Sequence, residues 1–252
     1  MLRLNKHLAS ALGVSRREAD ELINSGQVTI DGETAVLGAR VDKNNKVCYN
    51  GRIIPFETDF LYIAFNKPVG YVCSRHAQGP APTLYEILPE EYQKLKTVGR
   101  LDKDSSGLIL LTNDGDFAYQ MTHPKFRKNK VYEVELNKPL APLHQQMISD
   151  YGVMLDDGPS RFKVIRGGAR ADTVRPAGHE DLARAARSVP EGHAVSASAP
   201  PLYTVILSEG RNRQIRRTFA ALGYRVIKLH RIQFGKYMLD SLEPGKCVII
   251  KP

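Results

Sequence analysis

Val98-Gly99-Arg100-Leu101-Asp102-Lys103-Asp104-Ser105-Ser106-Gly107-Leu108-Ile109-Leu110-Leu111-Thr112 is the stretch on which the reading of this chain turns. Leu108 to Leu111 is wholly apolar and ends at Asn113-Asp114-Gly115, a strong turn signal. That pattern predicts a short strand buried on both faces. Just ahead of it, Arg100, Asp102, Lys103 and Asp104 crowd into five residues between Gly99 and Gly107. A buried strand is a rigid platform, so charges at its mouth are well placed for chemistry. Taken alone, the stretch also fits a plainer role in which Asp102 or Asp104 caps a turn.

The whole composition narrows the choice. The chain has 252 residues and a net charge of +9. That length suits two domains with cores that need no disulfides. The positive excess favours a polyanionic partner, nucleic acid first. Cys48, Cys73 and Cys247 are odd in number and widely spaced, which points to reduced core thiols rather than a disulfide framework or zinc site. No apolar run approaches the ~20 residues of a membrane span, and Asn5, Lys6 and His7 interrupt any leader-like run at the start. A cytoplasmic monomer is expected.

Residues 1–50 read as a small basic helix–helix–hairpin module. Leu4, Leu8 and Leu12 form one helical stripe that Gly13 stops. Ser15 and Glu18 form a capping box for a second helix with an apolar face of Ala19, Leu22 and Ile23. Strands are expected at 28–30, 36–41 and 47–49, with a hairpin turn at Asp31-Gly32. Residues 51–60 read as a linker.

From residue 61 to 252 the pattern is strand-rich. Strands are expected at 61–65, 71–73, 131–136, 153–155, 162–165, 203–207, 225–229 and 247–250. Helices are expected near 89–95, 117–121, 143–151 and 213–223, the third with its apolar stripe on Leu143, Met147 and Tyr151. Residues 166–201 are rich in Ala, Gly, Pro, Ser and Arg and read as a surface insertion with a weak helix at 180–186. Strands and helices do not alternate regularly. The fold class is therefore α+β, with a mixed or mostly antiparallel sheet behind the small helix–hairpin module.

Several catalytic patterns are absent, among them Gly-x-Gly-x-x-Gly, the phosphate loop, His-Glu-x-x-His and Gly-x-Ser-x-Gly. No cofactor and no metal are expected. Two basic concentrations stand out. Lys125, Arg127, Lys128 and Lys130 lie within six positions. Arg211, Arg213, Arg216, Arg217, Arg225, Lys228, Arg231 and Lys236 follow one another without an acidic residue among them. A run with no counter-charge repels itself, so phosphate binding explains it better than a solvated face does. Arg216 is adjacent to apolar Ile215 and can point inward, where it would require a carboxylate; Asp102 is a candidate. A carboxylate so paired stays ionised and can act as a nucleophile.

Two resemblances sharpen this. Arg3-Leu4-Asn5-Lys6, Ser15-Arg16-Arg17-Glu18-Ala19 and Gly26-Gln27-Val28-Thr29-Ile30-Asp31-Gly32 resemble the RNA-binding domain named after small-ribosomal-subunit protein four. Gly99-Arg100-Leu101-Asp102 followed by Ser105-x-Gly107-Leu108 resembles the signature of RNA pseudouridine synthases. Asn66-Lys67-Pro68-x-Gly70, Lys130-x-Tyr132-x-Val134, Glu209 to Arg217, and Lys228-Leu229-x-Arg231 are similar to that family's other motifs, in order. Together they resemble the RsuA-like ribosomal RNA pseudouridine synthases. The likeness excludes about 166–201, which is longer and less apolar than the family pattern.

The resemblance implies a set of roles. Asp102 attacks a flipped uridine at its anomeric carbon, Tyr132 stacks on the base and assists proton transfer, and Arg216 pairs with Asp102. Leu229 lines the pocket and Arg100 fills the gap left by the nucleotide. Arg3, Lys6, Arg16, Arg17, Lys67, Arg211, Arg213, Arg217 and Arg231 hold RNA. The implied partner is ribosomal RNA or an assembling ribosomal subunit. Gly70-Tyr71-Val72-Cys73-Ser74 leans toward the small-subunit branch; a large-subunit enzyme and a non-catalytic ribosome-assembly protein are the alternatives. A hydrolase using Asp102 and Asp104 is disfavoured, since i, i+2 residues of an extended segment point to opposite faces.

Overall fold

A computed structural model describes residues 1–56, 59–75, 79–167 and 200–252. Its N-terminal module runs β1 (Leu2–Arg3), α1 (Leu4–Ala11), α2 (Arg16–Asn24), β2 (Val28–Ile30), β3 (Glu33–Thr34), β4 (Arg40–Val41), β5 (Val47–Tyr49) and β6 (Arg52–Ile53). Gly13 leaves α1 in the left-handed region at φ 72°. The Ser15 hydroxyl accepts from the Glu18 amide at 3.1 Å, and the Glu18 carboxylate accepts from the Ser15 amide at 2.6 Å. This reciprocal cap satisfies donors that the first turn cannot. Leu4, Leu8, Ala19 and Ile23 then bury one face of the helix pair against Val28, Val41 and Val47.

Two boundaries differ from the sequence reading. Only Arg40–Val41 of the expected strand at 36–41 is paired, and Val36 and Leu37 are exposed. The module also extends past residue 50. Arg52–Ile53 pairs with β5, Ile54 is buried, and Phe56 stacks on His7 with ring centroids 4.0 Å apart. Part of the expected linker is therefore core, because the helix pair needs a further apolar lid that Ile54 and Phe56 supply.

The rest of the chain forms β7 (Tyr62–Lys67), β8 (Lys96–Val98), β9 (Ser106–Thr112), α3 (Gly115–Thr122), β10 (Lys130–Leu136), α4 (Pro142–Gln146), β11 (Val153–Leu155), β12 (Gly158–Ser160), β13 (Lys163–Arg166), β14 (Leu202–Leu207), α5 (Gln214–Ala221), β15 (Val226–Phe234), β16 (Tyr237–Met238) and β17 (Cys247–Ile249). The main sheet has the order β13-β14-β10-β15-β9-β7-β17, with β8 added to β9 and β16 to β15. Its strand pairs are antiparallel except β15 with β9. The α+β mixed sheet expected from the sequence is the one observed.

Strand β9 is buried on both faces, as its apolar run predicts. Ile109 and Leu111 enter one core with Phe65, Phe219 and Val205. Leu108 and Leu110 enter a second with Met121, Phe234 and Tyr237. Consecutive residues of a strand alternate faces, so an unbroken apolar run serves two cores. The Asn113-Asp114-Gly115 turn feeds a helix directly. The Asp114 carboxylate caps α3, accepting from the Asp116 and Phe117 amides at 2.9 and 3.2 Å.

Other expectations are corrected. Tyr71–Cys73 contributes one isolated bridge, Val72 to Thr83, and 89–95 holds one 3-10 turn at Glu90–Tyr92. The stripe Leu143, Met147, Tyr151 does not face the core: Leu143 and Tyr151 are exposed and Ile148 is buried. Met147–Tyr151 is a π turn, whose wider winding rotates the buried side away from the i, i+4 positions. Most of the expected insertion at 166–201, with its helix at 180–186, lies outside the described residues. Its ends are neighbours: β13 and β14 pair, and the Gly167 amide donates to the Leu202 carbonyl at 2.8 Å. Among the described residues no helix is long and apolar enough to cross a membrane.

Candidate active site

The mouth of β9 is held from three sides. On one edge, Gly107 meets Arg231 of β15 in the sheet's parallel pairing. Gly107 has φ 104°, and a Cβ there would lie 2.2 Å from the Arg231 carbonyl oxygen. Only glycine allows that approach. On the other edge, Lys67 closes β7. Its ammonium is fully buried and donates to the carbonyls of Asp102, Ser105 and Pro68 at 3.2, 2.7 and 3.0 Å. The Ser105 amide donates to the Asp102 carbonyl at 3.1 Å, and the Gly70 amide to the Lys103 carbonyl at 2.8 Å. Asp102 thus sits on a turn fixed through its backbone, with its side chain left over.

That side chain lines a cavity of about 620 Å³ shared with Arg100, Tyr132, Leu229, Lys130 and Arg213. The volume is in the range of small-ligand pockets, about 300–1,000 Å³. Tyr132 on β10 lies opposite Arg231 of β15 and Val205 of β14 in the ladder, and Leu229 lies opposite Val134. Both Tyr132 and Leu229 are buried apart from what the cavity shows. Asp102, Tyr132, Leu229 and Arg100 all line this one cavity.

The structure does not form the expected pair of Asp102 with Arg216. Arg216 Nε lies 3.2 Å from Asp104 Oδ2, Nη2 donates to the Asp104 carbonyl at 2.7 Å, and Nη1 donates to the Val226 carbonyl at 2.9 Å. Arg213 makes a two-pronged contact with Asp104, both bonds 2.9 Å, and its Nη1 is 3.6 Å from Asp102 Oδ2. Asp104 is therefore more than a turn residue. It gathers Arg216 of α5 and Arg213, the residue just before that helix, beside Asp102, and its hydrogen bonds from Arg213 hold its carboxyl below the ordinary range, with Arg216 adding to the effect. Asp102 and Asp104 both approach Arg213, at 3.6 and 2.9 Å from the same Nη1.

The basic run also finds counter-charges that its own segment lacks. Asp157, before β12, takes Arg211 at 3.0 Å and Arg217 at 2.7 Å. Arg211 and Arg217, read from the sequence as RNA contacts, are both engaged by Asp157, and Arg211 also donates to the Gly158 and Pro159 carbonyls. Lys67 and Arg231 are both buried. Arg231 donates from Nε to the Leu108 carbonyl at 2.7 Å and keeps Nη2 without a hydrogen-bond partner among the described residues, at the cavity. In the N-terminal module Arg3, Arg16 and Arg17 are exposed, while Lys6 pairs with Asp116 of α3 at 2.5 Å. His230 accepts or donates at Nδ1 with the Ser106 hydroxyl, 2.8 Å away.

Lys130 is a cavity residue to which the sequence reading, placing it in a cationic run and in the Lys130-x-Tyr132-x-Val134 motif, gave no role. It stands two positions before Tyr132 on the same strand, hence on the same face, which was the available signal. Its ammonium donates to the Glu209 carbonyl at 3.3 Å and lies 5.3 Å from the Phe234 ring centre. Burial, followed by the nearby Arg231 charge, pushes its pKa down from 10.5 to about 8. The sign follows directly. Below pH 8 both folded and unfolded chains carry the charge and the burial cost is present in full. Between about 8 and 10.5 the unfolded chain alone holds the proton, so stability rises with pH. Lys130→Met should raise the denaturation midpoint at pH 7 and abolish that rise; urea melts at pH 7 and 9.5 check it.

Comparison with known proteins agrees with this arrangement. Residues 61–221 match the RNA pseudouridylate synthase family model, and residues 2–47 match the S4 domain model. Ribosomal small subunit pseudouridine synthase A of Pasteurella multocida is 34% identical over 95% of this chain and 91% of its own length. The protein of that name from Vibrio cholerae is 35% identical over 97% of this chain and 94% of its own. A solved structure described as a pseudouridylate synthase superposes with a TM-score of 0.62 at 28% identity, covering 100% of this chain and 96% of that one. With the family model spanning more than half the residues, Asp102 and Tyr132 among them, this chain belongs to the RNA pseudouridylate synthase family.

Proposed function

We propose that this chain converts a uridine of small-subunit ribosomal RNA to pseudouridine, with Asp102 as the nucleophile. The observation that carries the proposal is the placement of Asp102. Its backbone is pinned by Lys67 while its carboxylate faces a cavity walled by Tyr132 and Leu229. The names of the relatives, which match over nearly the whole chain, supply the choice of RNA.

In this reading the target nucleotide flips out of its stack, at a cost of a few kcal/mol of unstacking that stacking and phosphate contacts offset. The Asp102 carboxylate attacks C1′ of the ribose and the C1′–N1 bond breaks, its electron pair leaving with the uracil. The base turns within the cavity, C5 bonds to C1′, and the aspartyl ester is released as carboxylate. The proton lost from C5 balances the one gained at N1, so the sum is an isomerisation. Tyr132 faces the base, and Arg213 and Arg216 hold the loop through Asp104. Three free thiols support a cytoplasmic setting as part of the same proposal.

The test is to incubate the protein with small- and large-subunit RNA, free and in particles, and map pseudouridine by chemical probing. One modified uridine in small-subunit RNA is expected. Product confined to large-subunit RNA would overturn the choice of substrate, and no product in any arm would overturn the activity.

The N-terminal module contributes affinity in this scheme. Its core is separate from the catalytic one among the described residues, and the contacts across include Lys6 to Asp116 and Lys96 to the Ala9 and Val14 carbonyls. Removing residues 1–56 should leave a cooperatively folding remainder. Loss of the exposed Arg3, Arg16 and Arg17 should lower the slope of log affinity against log salt by about two. Filter binding at several salt concentrations checks this.

A further inference from the structure

Helix α3 ends at the rim of the cavity, and an aromatic cluster follows its last turn. The rings of Tyr119 and His123 are 4.7 Å apart, those of Tyr119 and Phe126 5.8 Å, and those of His123 and Phe126 6.4 Å. None belongs to the core: Tyr119 is 45% exposed and Phe126 38%. Lys125 Nζ lies 5.0 Å from the centre of the Tyr119 ring and 4.7 Å from that of Phe126. Clustered exposed aromatics usually mark a binding surface.

The cluster is firmly mounted. Met121 of the same helix is buried in the core, the Thr122 hydroxyl donates to the Ala118 carbonyl at 2.7 Å, and the Phe126 amide donates to the His123 carbonyl at 3.1 Å. The following loop is clasped by the Gly235 amide on the Asn129 carbonyl at 2.8 Å. Its position relative to the cavity is equally definite. Thr122 and Pro124 line the cavity, and a Cβ on Gly99, next to Arg100, would lie 3.5 Å from Thr122 Cγ2. The surroundings are positive. From Phe117 to Tyr132 there is no acidic residue, while Lys125, Arg127 and Lys128 are present.

We propose that Tyr119, His123 and Phe126, with Lys125, form a stacking platform for an unpaired nucleobase of the RNA strand beside the flipped uridine. The inference rests on the RNA-modifying reading above and names where the flanking strand is held. Bases of any kind have a π face, so aromatic rings amid cations suit single-stranded nucleic acid without demanding a sequence. Lys125 in the free protein covers the rings. Being exposed and flexible, it can give way to a base and move to the adjoining phosphate.

The chain has no tryptophan, so Phe126→Trp introduces a single reporter. Titrating that full-length variant with oligouridylate of about ten nucleotides should quench its emission, and a duplex RNA of equal length should not. A Tyr119→Ala/Phe126→Ala double variant should bind oligouridylate roughly tenfold more weakly with its salt slope unchanged. Phe126→Trp should bind like the parent. In single-turnover isomerisation the double variant should need more RNA to reach half-maximal rate, with the saturated rate within twofold of the parent. No quenching by the single strand, or a double variant binding within twofold of the parent, overturns the platform. Quenching without any pseudouridine product would leave the platform standing and sink the isomerase reading; product without quenching would do the reverse.

Discussion

Asp102→Asn should lower pseudouridine formation by at least about a thousandfold while RNA affinity stays within a few-fold. The argument for a clean result is structural. The turn is held through the Asp102 carbonyl, which accepts from Lys67 and from the Ser105 amide. Neither bond involves the carboxylate, and asparagine has the same shape. The side-chain ion pair lost is the 3.6 Å contact with Arg213, which remains bound to Asp104 by two hydrogen bonds. A partly exposed pair of that kind contributes about 0–1 kcal/mol. The substitution therefore removes a nucleophile and little else. Removing a negative charge from an RNA-facing cavity also gives no reason for weaker binding. Chemical mapping of pseudouridine and a binding titration on the same preparations decide the matter. Equal product from parent and variant would refute the assignment of Asp102.

Gly107→Ala should have the largest effect on stability, above about 4 kcal/mol, with a melting temperature lower by more than about 10 °C. At φ 104° an alanine is already strained, and its Cβ would sit 2.2, 2.6 and 2.9 Å from the backbone oxygen, nitrogen and carbon of Arg231. Those are atoms of the neighbouring strand, fixed by β10 on its far side, so no side chain can swing aside. The strands would have to part at the point that carries Asp102. Gly223→Ala is the fitting control. It has φ 78° and nothing within 4 Å of the added Cβ, so it bears the conformational cost alone, about 1 kcal/mol. Thermal melts of the two variants that coincide would show that the close approach is not the constraint described.

Much of this was legible in the chain, where the physics is local. A serine and glutamate three apart bind each other's amides whatever surrounds them, so the cap at Ser15 could be read directly. The unbroken run Leu108–Leu111 predicted a doubly buried strand because alternation leaves it no solvent side. Asp102, Tyr132 and Leu229 were assigned through motif resemblance, and the fold places all three on one cavity. Failures came where the outcome depends on a partner far away in sequence. The stripe of Leu143 and Tyr151 was misread because a π turn changes the period. Residues 52–56 were read as a linker although Phe56 completes a core whose other half lies near residue 7.

The basic run from Arg211 to Arg231 marks the division most clearly. Its composition established a strong positive field, and that field follows from charge counting alone. Which arginines are left to meet RNA was decided by Asp104 and Asp157, brought to α5 from outside its own segment. Sequence determined the capped helix at Ser15 and the buried β9, because those depend on neighbours along the chain. Tertiary structure alone decided that Arg216 serves Asp104, that Lys67 braces the Asp102 turn, and that Lys130 stands desolvated in the cavity. Ion pairing and burial are properties of positions in space, and a carboxylate 112 residues away in the chain, as Asp104 is from Arg216, leaves no local pattern to read.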